Sequence, residues 1–390
     1  MKRCIIRARA LAMDGEPWED KLLVINGKRI ESILPSSSAS RFSSRDFVGS
    51  RRYLVFPGLV DLHCHGGGGI VPTSLGGLLA AAYYHASSGT SALMLSLLYT
   101  SLEDLARMAE VVAKARVSAP LRLLGIHLEG PFLNPDARGA IPRESLRPAR
   151  VAEVAQILKA LGSELKIVTV APELPGAEEV IRAFVEAGVI VALGHSLATA
   201  EQAHAAVEWG ARMVTHLGNA MRPFHQREPG LVGTALSEER LTAEIIADGQ
   251  HLAPETLAMF VRAKAGDLVL VSDCRWIAGL PEGAHAESGG ETLEVKAGAA
   301  RQEDGVLAGG VSPVWKGVAT LGAMHGFTMW KAVQLASHNP AKLLGIRGLG
   351  RITVGGRADL VLAGPDFSVR RVFYGGEEIF RATDEPPLLP

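Results

Sequence analysis

The feature that most constrains this chain is an alternation of short apolar runs with amphipathic helical stretches, which repeats eight times. The apolar runs carry few polar residues, as expected for parallel strands that are covered on both faces. The stretches between them place apolar residues at helical spacing, as at Val151, Val154, Leu158 and Leu161. The eight predicted strands are 54–62, 91–95, 121–128, 166–170, 189–193, 212–215, 242–247 and 268–272.

This alternation predicts an α/β fold, a (β/α)8 barrel of the TIM type over residues 54–347, with a doubly wound parallel sheet as the alternative. Both ends of the chain are instead β-like, as in Leu22-Leu23-Val24-Ile25 near the start and Asp359-Leu360-Val361-Leu362 near the end. We therefore expect residues 1–53 and 348–390 to form one small β-sandwich domain together.

Composition excludes several classes of partner. The 40 Lys and Arg residues against 41 Asp and Glu give a formal charge of −1, so no overall basic field attracts nucleic acid or an acidic membrane surface. No apolar stretch reaches the roughly 18 residues of a membrane span. Three cysteines are too few for a disulfide framework, which favours a reducing cytoplasm.

A pair of histidines follows the first predicted strand, in Asp61-Leu62-His63-Cys64-His65. Because side chains alternate along a strand, His63 and His65 point the same way and can hold one metal ion. Cys64 then points away from them, and we interpret it as a small buried residue rather than as a ligand.

Ionisable residues also end four further predicted strands. His127 and Glu129 end the third, His195 the fifth, His216 the sixth and Asp273 the eighth. The carboxyl ends of barrel strands are where the active sites of such barrels are built. Each of these groups would need a polar partner if it were merely buried, and a shared metal centre satisfies them together.

The segments around these residues resemble the amidohydrolases and, within them, the N-acetylglucosamine-6-phosphate deacetylases. The resemblance covers nearly the whole chain. The His63–His65 pair is general to the amidohydrolases, whereas Glu129-Gly130-Pro131 together with Asn219-Ala220-Met221 is more specific to the deacetylases. The segments that carry it are 56–66, 125–134, 194–196, 215–221, 227–230, 248–251, 339–341 and 356–361.

The resemblance implies a metal-dependent amide hydrolase that removes the acetyl group of an N-acetylamino-sugar 6-phosphate. It implies that Asp273 is the catalytic acid and base, which takes a proton from metal-activated water and passes it to the leaving amine. One or two divalent ions are expected, and zinc or iron suits the ligand types. The implied metal ligands are His63, His65, Glu129, His195 and His216.

The resemblance also implies where a small-molecule substrate binds. Arg227 and His251 are expected to contact its phosphate, and such contacts in this family can come from a neighbouring subunit, which implies a homodimer. The implied substrate-binding residues are Ala140, Asn219, Ala220, Arg227, His251 and Leu307.

The chain departs from the family pattern at the expected pocket. Ile141 stands where the family usually has a histidine, and Cys274-Arg275-Trp276 replaces small residues and threonine. Trp276 is either a stacking wall for a ring or ordinary packing. These departures leave open a related amidohydrolase that acts on a different N-acyl or cyclic amide substrate. A protein that only binds metal or sugar phosphate is disfavoured, because binding needs no proton shuttle such as Asp273.

Overall fold

The computed structural model describes residues 3–11, 17–48, 53–264, 266–288 and 291–383. Within these residues the strands are β1 Arg3–Leu11, β2 Pro17–Asn26, β3 Arg29–Pro35, β4 Phe47–Val48, β5 Leu54–Pro57, β6 Leu59–Cys64, β7 Thr90–Leu98, β8 Arg122–Glu129, β9 Leu165–Val170, β10 Ile190–Leu193, β11 Met213–Val214, β12 Thr242–Ile245, β13 Leu268–Leu270, β14 His285–Ser288, β15 Glu291–Lys296, β16 Ala299–Gln302, β17 Leu307–Gly310, β18 Leu360–Ala363, β19 Val369–Tyr374 and β20 Glu377–Arg381. The helices are α1 Leu75–Ser87, α2 Leu102–Ala115, α3 Val151–Leu161, α4 Ala177–Glu186, α5 Ala200–Glu208, α6 Gly230–Ser237, α7 Pro254–Ala263, α8 Val314–Gly322, α9 Met329–Leu335 and α10 His338–Leu343.

Strands β6 to β13 form a parallel barrel in which each strand pairs with the next one along the chain. The first and last strands meet beyond their regular ends, where the amide of His65 donates to the carbonyl of Cys274 at 2.8 Å. The amide of Asp273 likewise donates to the carbonyl of His63 at 2.9 Å. Closure of the sheet confirms the predicted (β/α)8 barrel and excludes the doubly wound alternative.

The first predicted strand, 54–62, is two strands rather than one. Strand β5 pairs with β1 and β18 in a separate sheet, and β6 begins the barrel. Gly58 lies between them, and a Cβ atom there would be 2.3 Å from Oγ of Ser91. The prediction of one continuous strand was wrong because a buried apolar run looks the same whichever sheet it joins.

Both ends of the chain build the second sheet, in which β18, β19 and β20 from the end join β1 to β5 from the start. Ile6, Leu23, Val55, Leu360 and Phe373 pack together in its core. This confirms the expected β domain made from both termini. The division of the chain after residues 53 and 347 stays a prediction.

A four-stranded antiparallel sheet, β14 to β17, follows the last barrel strand and was not predicted. Its final strand is fastened to the end of the barrel, because the amide of Gly310 donates to the carbonyl of Asp273 at 2.7 Å. The amide of Arg275 donates in turn to the carbonyl of Gly310 at 2.8 Å. We call β14 to β17 the inserted sheet. It places Leu307 and its neighbours over the carboxyl end of the barrel.

The helices cover the outside of the barrel, and their ends are set by local sequence. Thr199 and Gln202 form a reciprocal capping box at the start of α5. Helix α3 buries Val154, Ile157 and Leu161, whereas Val151, which was predicted on the buried face, is exposed. Among the described residues, no helix is both long and apolar enough to cross a membrane.

Candidate active site at the carboxyl end of the barrel

Six predicted metal-binding and catalytic residues lie together at the carboxyl end of the barrel. Each is at the end of a barrel strand or within three residues of that end, and all of them are buried. They form two triads, and within each triad the donor atoms lie within 4.8 Å of one another. The first triad is Glu129, His195 and His216, and the second is His63, His65 and Asp273.

In the first triad, two histidine nitrogens lie beside one carboxylate oxygen. Nε2 of His195 and Nε2 of His216 each lie 3.0 Å from Oε1 of Glu129 and 3.0 Å from each other. Nδ1 of His195 lies 2.9 Å from the carbonyl of Ala137, which only accepts, so Nδ1 carries the hydrogen. Nε2 of His195 therefore offers a lone pair to its neighbours, and such an arrangement fits a cation between them.

Glu129 of the first triad also contacts the second triad. Nε2 of His65 lies 3.1 Å from Oε2 of Glu129 and 3.2 Å from Nε2 of His63. Oδ1 of Asp273 is 3.6 Å from Nε2 of His63 and 3.5 Å from Nε2 of His65. Oε1 of Glu129 also lies 3.5 Å from Nε2 of His63, so this carboxylate could help to hold an ion in either triad. The donor set fits divalent cations of the zinc or iron type.

Glu244 orients the second triad and was missed in the sequence. Its Oε2 accepts a hydrogen bond from Nδ1 of His63 at 2.9 Å and from the amide of His216 at 3.1 Å. A hydrogen on Nδ1 leaves the Nε2 lone pair of His63 free for a metal, which is how a second layer of contacts usually orients such ligands. A signal was present, because Glu244 is a lone carboxylate in the middle of the apolar strand 242–247.

His127 lies beneath the ligands rather than among them. Its ring packs edge-on against His63, with ring centroids 4.6 Å apart, and its Nε2 lies 2.8 Å from Oγ1 of Thr169. Burial lowers the pKa of His127 to about 3. His127 is therefore a neutral residue that supports the ring of His63.

Asp273 is held as a carboxylate next to His251. Burial raises the pKa of Asp273, but the surrounding histidines, His251 among them, outweigh it and keep that pKa below its usual range. Nε2 of His251 lies 3.5 Å from Oδ2 of Asp273, and Nδ1 lies 2.8 Å from Oδ2 of Asp248. Burial lowers the pKa of His251, but these two carboxylates outweigh it and raise the pKa to about 9. Asp273 can thus accept a proton.

Three of these residues have strained backbones. The φ angles of His195, His216 and Asp273 are 48°, 29° and 47°, in the left-handed region that residues other than glycine rarely adopt. Strain of this kind costs roughly 1–3 kcal/mol at each residue and clusters at functional sites, where the surrounding structure imposes it. At the carboxyl end of the barrel, these backbone conformations direct the three side chains towards one another.

A cavity of about 220 Å³ opens over both triads. It is lined by five of the six predicted substrate contacts, together with Ile141, whose side chain supplies an apolar wall without a donor. The five contacts that the structure places there are Ala140, Asn219, Ala220, His251 and Leu307.

Arg227 does not line this cavity in the described part of the chain. It borders a separate cavity of about 90 Å³ together with Arg222 and Glu228. A contact between Arg227 and a substrate would therefore need a neighbouring subunit, and that role stays a prediction.

Trp276 packs away from the cavity, beside Ile277 and Leu293 under the inserted sheet. Trp276 is not among the described residues that line the cavity. Ordinary packing is the correct interpretation of Trp276, and its expected place in the pocket was wrong, because the inserted sheet supplies an apolar layer that buries the ring.

Fold and site together define a class, a (β/α)8 barrel whose carboxyl end carries a histidine and carboxylate set able to hold divalent metal ions. Residues 54–379 match the amidohydrolase family over most of this chain. The chain belongs to the amidohydrolase family.

Individual relatives are similar over almost their full length. The chain is 32% identical to N-acetylgalactosamine-6-phosphate deacetylase of Escherichia coli O157:H7, over 96% of this chain and 98% of that protein. It is 32% identical to N-acetylglucosamine-6-phosphate deacetylase of Bacillus subtilis, over 94% of each chain. Among solved structures, N-acetyl-D-glucosamine-6-phosphate deacetylase of Mycobacterium smegmatis, bound to N-acetyl-D-glucosamine-6-phosphate, is 31% identical with a TM-score of 0.89, covering 97% of this chain and 100% of that one.

Proposed function

We propose that this protein is a metal-dependent deacetylase that hydrolyses the acetamide bond of an N-acetylamino-sugar 6-phosphate, with N-acetylglucosamine 6-phosphate as the first candidate. The observation that carries the proposal is the Glu129–His195–His216 triad, with the carboxylate of Asp273 beside it and a sugar-sized cavity above. The full-length similarity to deacetylases of this kind supports the substrate class.

The two triads would hold the metal, with Glu129 shared between them. A bound divalent ion supplies Lewis acidity, which polarises the acetamide carbonyl and lets water lose a proton near neutral pH. We keep zinc or iron, in one or two copies, as the proposed cofactor.

Asp273 moves the proton in this mechanism. As a carboxylate it accepts a proton from the attacking water and then donates it to the nitrogen of the leaving amine, which would otherwise leave poorly. His251, which is fixed by Asp248, contacts Oδ2 of Asp273 and leaves Oδ1 facing His63 and His65. His251 thereby orients the carboxyl group that handles the proton.

The sugar would lie in the cavity against the loop of Asn219 and Ala220 and the inserted sheet at Leu307. We propose that Arg227 reaches the phosphate from a second copy of the chain, so that the working enzyme is a homodimer. We also propose a cytoplasmic location, since Cys4, Cys64 and Cys274 form no disulfide among the described residues, as is usual in a reducing compartment.

A second candidate has one observation in its favour. Ile141 gives the cavity an apolar wall where the resemblance leads one to expect a histidine donor. A different N-acyl or cyclic amide substrate of the same family would suit such a wall.

The experiment that decides between them is amine release from a panel of N-acetyl compounds after reconstitution with zinc or iron. The panel pairs N-acetylglucosamine and N-acetylgalactosamine with their 6-phosphates and adds an N-acetyl amino acid and a cyclic amide. The proposal predicts the highest kcat/KM for a 6-phosphate. Equal kcat/KM with and without phosphate, or faster turnover of the amino acid or cyclic amide, would contradict it.

A further inference from the structure

We propose that Arg275 is a specificity-determining residue that binds an anionic group of the substrate within the same subunit as the metal ligands. The inference deepens the proposed function and rests on it, because it names how the site would select a charged substrate. It concerns a residue for which the family resemblance implied no role.

Arg275 is the one lysine or arginine among the described residues that line the cavity. The histidines of the same cavity already have partners, since three belong to the triads and His251 is held by Asp248. Arg227 borders a different cavity. Arg275 therefore adds, within a single chain, a guanidinium that no metal triad uses and that a negatively charged substrate could contact.

Contacts on two sides fix the Arg275 side chain in place. Its Nη2 donates to both carboxylate oxygens of Glu291 on the inserted sheet, at 2.7 and 2.5 Å. The aliphatic part packs on Gly309, where an added Cβ would lie 2.8 Å from Cγ and 2.9 Å from Cδ of Arg275. A guanidinium that is held before substrate arrives loses little side-chain entropy on binding.

Donors of Arg275 remain unused in this arrangement. Nε is buried and has no hydrogen-bond partner, and Nη1 forms no hydrogen bond or ion pair with any residue that the structure describes. A buried donor without a partner is uncommon and usually indicates a ligand or a water molecule. Glu291 occupies Nη2 alone, so Nη1 keeps both of its N–H groups for an anion in the cavity.

The position of Arg275 couples this contact to the chemistry. It lies two residues beyond Asp273, and its amide is bonded to Gly310 of the inserted sheet. The same strand carries Leu307, one of the predicted substrate contacts. An anionic group held by Arg275 would therefore orient the rest of the substrate against the triads.

The test compares a charged and a neutral member of one substrate pair, N-acetylglucosamine 6-phosphate and N-acetylglucosamine, in the metal-loaded protein. The quantity compared is the kcat/KM of the phosphorylated sugar divided by that of the neutral sugar. Because Arg275→Gln loses a hydrogen bond to a charged group, this ratio should fall about 10- to 100-fold, chiefly through a higher KM for the phosphorylated sugar. Arg275→Lys should recover part of the ratio. Arg301→Gln, on the inserted sheet but outside the cavity, is the matched control and should leave the ratio as in the wild type.

Glu291→Gln separates substrate binding from a structural role. It removes the charge that neutralises Arg275 while keeping an acceptor, so the ratio should rise, which a damaged fold would not produce. An unchanged ratio in Arg275→Gln, or an equal loss on both substrates, would overturn the inference.

Failure of the proposed function gives a different result. In that case the wild type hydrolyses neither sugar, and binding of glucose 6-phosphate and glucose is measured by calorimetry instead. The inference then predicts that the wild type prefers glucose 6-phosphate and that Arg275→Gln loses this preference about 10- to 100-fold. Equal affinities in the two proteins would contradict it.

Discussion

Two clusters of buried ionisable side chains include residues of strand β6, and only one of them is arranged to hold a metal. The first is the pair of triads that share Glu129 at the carboxyl end of the barrel, which we call the rim cluster. The second, the Cys64 cluster, consists of Asp61, Cys64 and His85. In both, the possible donor atoms lie within 4.8 Å of one another.

The two clusters differ in where their hydrogens point. In the Cys64 cluster, Nε2 of His85 donates to the carbonyl of Gly66 at 2.9 Å, and Sγ of Cys64 donates to the same carbonyl at 3.2 Å. Burial lowers the pKa of His85 to about 4 and raises the pKa of the Cys64 thiol well above its ordinary value, so both groups are neutral.

At His195 and His63 of the rim cluster the hydrogen points outward instead. Nδ1 of His195 donates to Ala137, Nδ1 of His63 donates to Glu244, and the Nε2 lone pairs converge. Three donor residues within a few ångströms therefore do not make a metal site by themselves. The hydrogen bonds on the far side of each imidazole decide whether lone pairs are available.

The largest expected effect is that of Glu129→Gln, because this carboxylate serves both triads. Removing its charge should abolish metal binding at the first triad and weaken it at the second, so that amine release falls to the background rate. Steady-state kinetics in excess zinc or iron measures this. Turnover near that of the wild type would mean that the shared carboxylate is dispensable.

The next effect is that of Asp273→Asn, which keeps the shape of the side chain but removes the proton acceptor. Since general acid and base catalysis contributes about 10²- to 10⁴-fold, and Asp273 serves both steps, we expect kcat to fall at least about 1,000-fold. The metal bound by the first triad should remain, as elemental analysis would show. A fall of less than about tenfold would remove Asp273 from the mechanism.

Glu244→Gln tests the hydrogen bond behind His63. Losing such a partner of a metal ligand typically costs 10- to 100-fold in metal affinity, and we expect a loss of about that size at the second triad. Zinc titration against a competing chelator gives the affinity. His63 would be held by other contacts if the titration curves of variant and wild type coincided.

The Cys64 cluster should tolerate change without loss of chemistry. Cys64→Ser keeps a small donor, and we expect metal content and kcat/KM within about twofold of the wild type, with destabilisation of about 1–2 kcal/mol. Elemental analysis, kinetics and urea unfolding measure these three quantities. Loss of a metal ion from this variant would show that both clusters bind metal and would break the comparison.

The last prediction leaves catalysis aside and concerns a pH dependence of stability due to His85. The pKa of His85 is about 4 in the folded protein, below the ordinary 6.5. Between these two pH values the unfolded chain therefore binds a proton at His85 and the folded chain does not. Stability from this group is complete above pH 6.5 and is lost as pH falls toward 4, by about 3 kcal/mol. In His85→Gln the free energy of unfolding should fall less steeply over that window. Parallel curves would contradict this.

Much of the rim cluster was predictable from two rules. Side chains alternate between the two faces of a strand, and the carboxyl ends of barrel strands meet at one end of the barrel. His63 and His65 follow from the first rule, and the convergence of Glu129, His195 and His216 follows from the second. Glu244 was missed because the apolar pattern of its strand concealed the one buried carboxylate. The split of 54–62 was missed because the strands of both sheets bury apolar residues of the same kind.

The contact between Arg275 and Glu291 could not be read from the sequence at all. It depends on the inserted sheet docking on the barrel through Gly310 and Asp273, and that pairing joins segments whose local patterns do not indicate each other. Local periodicity predicts individual helices and strands. Which segments pair with one another at an irregular junction depends on the whole fold.

The most direct test of the account is the number of metal ions bound per chain, measured by elemental mass spectrometry after zinc loading and dialysis. The converging lone pairs predict about two ions in the wild type, and about one in the double variant His63→Ala, His65→Ala, which keeps only the first triad. A wild-type chain that retains no ion, or a double variant that retains as many as the wild type, would contradict the two-triad site.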